Sequence, residues 1–178
     1  MKRLLLLGGT MGVGKTTAGR ALKSRLSRCV YLDGDWCWDM HPFLVNEQTC
    51  AMVLDNIRHL LTNFLRCPEL DTVILGWVMD RQDILSDLLR GLPLEETEVH
   101  CVSLVCTEAA LRSRCRGDVA RGLRTEADVD RAAARLARYT ALNTEQLDVS
   151  GLSVEETVDA LSRLLYAGEP GSIRPCPP

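Results

Sequence analysis

Short apolar runs and stretches with helical periodicity take turns along the chain. "LLLL" at 4–7 reads as a buried strand, and 15–26 reads as a helix with small residues on its early turns. Residues 29–32 form a second short apolar run. In "NEQTCAMVLDNIRHLLTNFL" (46–65) the spacing puts Met52, Val53, Ile57, Leu60, Leu61 and Phe64 on one helical face. "TVILGW" (72–77) predicts a third strand, followed by a helix carrying Ile84, Leu85, Leu88 and Leu89. Residues 98–106 alternate and then turn apolar, as a fourth strand does. A charged helix pair follows, with breaks expected at Gly117 and Gly122. "EQLDVS" (145–150) predicts a short fifth strand. The closing helix runs over 153–165, with Ser153 and Glu156 spaced as a capping box.

Strands separated by helices imply βαβ units with right-handed crossovers, hence a parallel sheet covered on both faces. The expected architecture is a three-layer α/β fold in one domain over 1–166. The Pro/Gly-rich tail "AGEPGSIRPCPP" (167–178) is expected to be poorly ordered.

Composition narrows the function classes. A length of 178 residues suits one domain, and a net charge of -3 with scattered basic residues argues against nucleic acid as the main partner. The apolar run behind Met1-Lys2-Arg3 is too short for a signal-peptide core, and no stretch is long enough to span a bilayer. A cytoplasmic protein, monomer or homodimer, is the expectation. The eight cysteines contain no C-x-x-C pair and are expected to be reduced, small buried side chains rather than a metal set.

The chemistry starts at "GGTMGVGKTT" (8–17), between the first strand and the first helix. Gly9 to Thr16 fit G-x-x-x-x-G-K-[ST], a phosphate-binding loop. Its glycines allow backbone N–H groups to turn inward around a polyphosphate at a helix N-terminus. Gly9, Met11, Gly12, Val13, Gly14, Lys15, Thr16 and Thr17 are the expected nucleotide contacts. Lys15 would reach the β- and γ-phosphates, and the Thr16 hydroxyl would sit on Mg²⁺.

"TVILGW" ends without the acidic residue that motor and AAA-type ATPases normally carry on such a strand, and no N-K-x-D guanine signature occurs, which argues against an ATPase machine or a GTPase switch. The carboxylates stand instead in "YLDGDWCWDMHPF". Asp33 and Asp35 fall at the end of the second strand, which in a parallel sheet lies beside the phosphate loop. One would act on Mg²⁺ and the other would take a proton from an attacking hydroxyl. The alternative for this stretch is a plain Asp-Gly turn.

With "LDGD" following "GxxxxGKTT", the chain resembles the P-loop small-molecule kinases of the nucleoside-monophosphate-kinase group, which include gluconate, shikimate and adenylylsulfate kinases and chloramphenicol phosphotransferase. The resemblance implies strand order 2-3-1-4-5, Mg-ATP as donor and a lid, here about 112–124. It makes Asp35 the base and Asp33 the Mg²⁺-linked carboxylate, with the reverse assignment left open. "GLRTEADVDRAAARLARYTALNT" is similar to the lid-to-helix segment of adenylate-type kinases. It implies charge-stabilising roles for Arg124 and Arg135, which three helical turns would set on one side.

For the acceptor, Trp36, Trp38 and Phe43 lie close together in a chain with eight aromatic residues, and flat rings there would stack on a planar substrate. Packing of a small subdomain is the competing use. His41 would hydrogen-bond the acceptor, and Arg58 and Arg81 would grip an anionic group. The glycine-aromatic-proline-arginine run of nucleoside-monophosphate kinases is replaced here by "GWVMDR". The expected activity is therefore Mg-ATP-dependent phosphorylation of a small-molecule hydroxyl. A nucleoside or nucleotide kinase is the near alternative, and a non-catalytic ATP-binding module the alternative of another class.

Overall fold

In the computed structural model, residues 1–166 are described, and the tail expected at 167–178 lies outside them. Five strands, β1 (Lys2–Gly9), β2 (Cys29–Asp33), β3 (Thr72–Gly76), β4 (Thr97–Val105) and β5 (Glu145–Asp148), form one sheet. The order is β2-β3-β1-β4-β5, and every neighbouring pair is parallel. This is the order that the resemblance implied.

Among the described residues seven helices accompany the sheet: α1 (Lys15–Arg25), α2 (Glu47–Arg66), α3 (Gln82–Leu89), α4 (Glu108–Ala120), α5 (Glu126–Ala134), α6 (Leu136–Thr140) and α7 (Val154–Tyr166). A 3₁₀ turn, Gly34–Trp38, follows β2.

The leucine run of β1 explains the two covered faces. Side chains alternate along a strand, so Leu4 and Leu6 pack with Ile57, Leu61 and Leu85 of α2 and α3. Leu5 and Leu7 pack on the other face with Leu22 of α1 and Leu161 of α7. All four leucines are buried, and truncating any one to alanine would cost about 2–5 kcal/mol. A smaller cluster of Leu111, Cys115, Val129 and Ala132 joins α4 to α5 beside the phosphate loop.

Local signals account for several boundaries. Asn46 caps α2, accepting from the Thr49 N–H at 2.9 Å while Thr49 Oγ1 accepts from the Asn46 N–H at 3.0 Å. At α7, Glu156 Oε2 accepts from the Ser153 N–H at 2.8 Å and Ser153 Oγ accepts in return at 3.2 Å, the expected capping box. Gly117 does not break the charged helix pair. It lies inside α4, with open space where a side chain would stand, and an exposed helical glycine costs only about 1 kcal/mol. The break comes at Gly122, whose φ of 69° turns the chain back. Met52, expected on the buried face of α2, is exposed, while Leu65 is buried.

Beyond β1 the chain adds strands on one side, β3 and β2, and later on the other, β4 and β5. Such a reversal opens a crevice at the carboxyl ends of the strands. No helix among the described residues is long and apolar enough to cross a membrane.

Candidate active site: a phosphate loop beside paired carboxylates

A cleft of about 1260 Å³ occupies that crevice, with the loop after β1 as its floor. The loop is held from both sides. Buried Thr10 donates its hydroxyl to the Ala132 carbonyl of α5 at 2.7 Å. Gly12, with φ of 83°, leaves room for α4: a Cβ there would stand 2.5 Å from Cys115 Sγ and 3.1 Å from Arg124 Nη1. Gly14 is the N-cap of α1 with φ of 115°, and no side chain caps that helix. The first-turn N–H groups of α1 are therefore left for an external acceptor, the situation in which helix N-termini bind phosphate.

Lys15 folds over the loop, donating to the carbonyls of Gly9 at 2.8 Å and Thr10 at 3.0 Å. Burial lowers its pKa to about 8, partly opposed by the charges of Asp35 and Asp33 and reinforced by Arg124. The next residue, Thr16, donates its hydroxyl to Asp33 Oδ2 at 3.0 Å. Asp33 is 7% exposed, and Tyr31 OH donates to the same oxygen at 3.3 Å. Its other oxygen accepts from the Asp35 N–H at 3.2 Å, which starts the 3₁₀ turn and aims Asp35 into the cleft. The Asp35 carboxylate accepts no hydrogen bond from a described side chain. Partial burial and the charge of Asp33 push its pKa up, against the pull of Lys15.

This donor set suits Mg²⁺. The ion favours hard oxygen ligands and keeps waters and substrate phosphates in its shell, so a hydroxyl and one or two carboxylates suffice. Thr16 donates its hydroxyl hydrogen bond to Asp33 and keeps its oxygen lone pairs available, and Asp33 holds the hydroxyl in place.

Arginines line the cleft on the β4–β5 side. Arg124 pairs with Asp118 at 3.1 Å, and Arg135 Nε stands 3.9 Å from Asp80 Oδ2. The two do not share a helix as expected. The Thr125–Asp128 capping box starts α5 one residue after Arg124, and Arg135 is the residue at its end. Both nonetheless reach the cleft. Arg114 joins them, donating to the Val13 carbonyl of the loop at 3.1 Å and to the Val149 carbonyl.

On the β2–β3 side the expectations divide. Trp38 and Arg81 line the cleft. Trp36 does not: it is 61% exposed, and its ring centroid lies 5.9 Å from the Arg20 guanidinium carbon. The 3₁₀ turn rotates successive side chains by about a third of a circle, so Trp36 and Trp38 cannot face the same way. His41, exposed in the following loop, and Arg58, paired with Asp55 at 3.4 Å, are also outside the cleft lining. Gly9 and Asp33 lie behind the lining, acting through their bonds to Lys15 and Thr16.

Asp80 and Trp77 are among the lining residues that escaped the sequence reading. Asp80 is only 10% exposed, and its Oδ2 accepts from Arg138 Nη1 at 2.8 Å. Trp77 covers Gly34, where a Cβ would meet its Cγ at 2.4 Å. The Gly34 of "LDGD" thus makes space for an indole from β3's end. Six cysteines, at 29, 37, 50, 67, 106 and 115, are free thiols, of which only Cys115 is buried; Cys101 is disulfide-bonded, against the expectation that all are reduced. No group of three or more His, Cys, Asp or Glu among the described residues is set to hold a metal ion by itself.

No curated protein matches the sequence. Among solved structures, the tunicamycin resistance protein of Deinococcus radiodurans superposes with a TM-score of 0.66 at 17% identity, covering 100% of both chains. A gluconokinase from Sinorhizobium meliloti 1021 gives 0.63 at 16% identity, covering 92% of this chain and 93% of its own. A shikimate kinase from Bacteroides thetaiotaomicron gives 0.57 at 22% identity, covering 93% and 98%. These likenesses establish the fold. A family model described as an AAA domain matches residues 5–133, well over half of the chain and including the phosphate loop and both carboxylates. The chain belongs to that AAA-domain family, in its P-loop, five-stranded parallel form.

Proposed function

We propose that the protein is a Mg-ATP-dependent kinase that transfers the γ-phosphoryl group to a hydroxyl of a small molecule. One observation carries the reading: Asp35 faces the cleft with a free, weakly basic carboxylate, beside a Thr16–Asp33 pair on the phosphate loop. A carboxylate aimed into the cleft with no side-chain partner suits a base for an acceptor's proton, beyond what holding Mg²⁺ through Thr16 and Asp33 requires.

The donor's phosphates would lie on the loop and at the N-terminus of α1, with Lys15 leaving the Gly9 and Thr10 carbonyls to meet the β- and γ-oxygens. Thr16 and Asp33 would hold Mg²⁺, which when bound offsets the charge of the donor's terminal phosphates. Asp35 would accept the acceptor's hydroxyl proton as its oxygen bonds to phosphorus and the bond to the ADP oxygen breaks. Arg124 and Arg135 would oppose the charge on the transferring group. The segment about 112–124, made of α4's later turns and the bend into α5, would move over the phosphates as a lid. Gluconokinase and shikimate kinase are named for hydroxylated acceptors, which is in keeping with this direction of transfer.

The test is ADP release from Mg-ATP across pooled acceptors: nucleosides, nucleoside monophosphates, sugars, sugar acids and alcohols. The expected result is many-fold stimulation by one pool, lost in Lys15→Ala and Asp35→Asn. ATP binding without stimulation by any pool, and slow hydrolysis indifferent to Asp35→Asn, would instead mark a nucleotide-binding module.

A further inference from the structure

The wall opposite the arginines has a different chemistry, and it bears on the acceptor. Trp38, Phe43, Val45, Leu54, Trp77 and Ile84 face the cleft there. The indole N–H of Trp38 is used internally, donating to the Leu44 carbonyl at 2.9 Å, so its ring offers only apolar surface. The Phe43 ring leans on it, with centroids 5.9 Å apart and planes tilted by 41°. Phe43 and Val45 are 67% and 63% exposed, at the mouth of the cleft. Apolar side chains left this open beside a catalytic crevice are suited to covering a ligand.

The charges on that wall point the same way. Arg81, its cation, is held by both oxygens of Asp83, at 3.0 and 2.9 Å. Asp80 is engaged by Arg138 at 2.8 Å and Asp87 by Arg90 at 2.9 Å. With those partners counted, Asp35 is the carboxylate on this wall that has no side-chain ion pair. An anionic acceptor would meet that carboxylate and no unpaired cation on this wall. A sugar needs several convergent polar groups, and here they are already paired with one another.

We propose that the acceptor is a neutral alcohol with a substantial apolar body, bound by burial against the Trp38–Phe43–Val45–Trp77 wall with its hydroxyl toward Asp35. The proposal rests on the kinase reading for the word acceptor, but its binding half can be tested without transfer.

Binding of primary n-alcohols from butanol to octanol, below their solubility limits, is followed by tryptophan fluorescence in the presence of Mg-ADP. Gluconate and shikimate serve as anionic comparators. Burial of the chain predicts that the dissociation constant falls about three- to fourfold per added methylene until the wall is covered. The double variant Phe43→Ser/Val45→Ser, both in an exposed loop, flattens that dependence. A dissociation constant independent of chain length overturns the proposal, as does a dependence unchanged in the variant or tighter binding of gluconate or shikimate.

ADP release with the same compounds separates this proposal from the reading beneath it. Release driven by gluconate or shikimate, without chain-length-dependent binding, keeps the kinase and removes the apolar acceptor. Chain-length-dependent binding, lost in the variant, with no ADP release by any compound supports the ligand class and counts against the kinase.

Discussion

Tyr31 and Asp33 lie two residues apart on β2, on one face of the sheet, and the phenol donates to Asp33 Oδ2 at 3.3 Å. Two glycines make that contact possible. A Cβ at Gly19 would stand 2.4 Å from Tyr31 Cε2, and one at Gly76 would stand 2.5 Å from the hydroxyl. Burial raises the phenol's pKa to about 12, so it remains a donor at neutral pH. Asp33 is thereby fixed by Tyr31, Thr16 and the Asp35 N–H together.

Gly19→Ala tests this packing. Alanine favours a helix interior over glycine by about 1 kcal/mol, yet here its methyl must displace a buried ring. The expected outcome is net destabilisation of about 1–3 kcal/mol, read by urea unfolding. In a Tyr31→Leu background the same substitution is expected to be near neutral. An equal loss in both backgrounds would mean that Tyr31 is not what the methyl meets.

Thr16→Val removes the hydroxyl that Asp33 holds while keeping the side chain's shape. We expect the Mg²⁺ concentration for half-maximal nucleotide binding to rise at least about tenfold, within the range seen when metal ligands or their supports are lost. Metal-free nucleotide binding should change little, and Thr16→Ser should restore the metal response. Unaltered Mg²⁺ titration in Thr16→Val would remove Thr16 from the metal site.

The two shifted groups frame a pH window for binding and transfer. Lys15 has its pKa lowered to about 8, so in the free protein it loses its proton as pH rises through that value. Only the ammonium attracts phosphate, hence ADP affinity should fall above pH 8, with a proton taken up on binding. Lys15→Arg should lack that limb. For Asp35 the shift is upward: the base loses function as pH falls, at values above the ordinary carboxylate range. Calorimetric titration of ADP in buffers of different ionisation enthalpy measures the first effect, and the acid limb of kcat the second. Flat affinity between pH 7 and 9.5 would contradict the Lys15 assignment.

Asp80→Asn leaves Arg135 and Arg138 without their shared carboxylate. Both guanidinium groups are about half exposed, so screening limits the loss of stability to about 1 kcal/mol. The larger effect is expected in function, because Arg135 loses its anchor at the cleft. Its signature is a raised KM for ATP greater than the change in stability, and an unchanged KM would leave Asp80 a merely structural residue.

The parts that were legible in the sequence are those governed by local rules. Four successive leucines announced a strand buried on both faces, and "GVGKTT" announced a strand-to-helix phosphate loop because its spacing reflects backbone geometry. The Ser153–Glu156 box was readable for the same reason. What was not legible depended on long-range packing. Asp80 meets Arg138 across 58 positions of chain, and nothing near "VMDR" signals that pairing. Trp36 and Trp38 look equivalent as letters, but the 3₁₀ turn sends one outward and the other into the cleft. Arg58 carries the charge expected of an acceptor contact, yet its helix turns it to Asp55. Gly34 looked like a turn residue, and its neighbour Trp77 shows that close approach is the reason for it.

Phosphorus NMR of a reaction containing the protein, Mg-ATP and an acceptor pool tests the central claim most directly. Transfer to a hydroxyl predicts a new phosphomonoester resonance growing in step with ADP, and its loss in Asp35→Asn by about 10²–10⁴-fold in rate, the usual worth of a general base. ADP accompanied only by inorganic phosphate, at a rate that Asp35→Asn leaves unchanged, would contradict it.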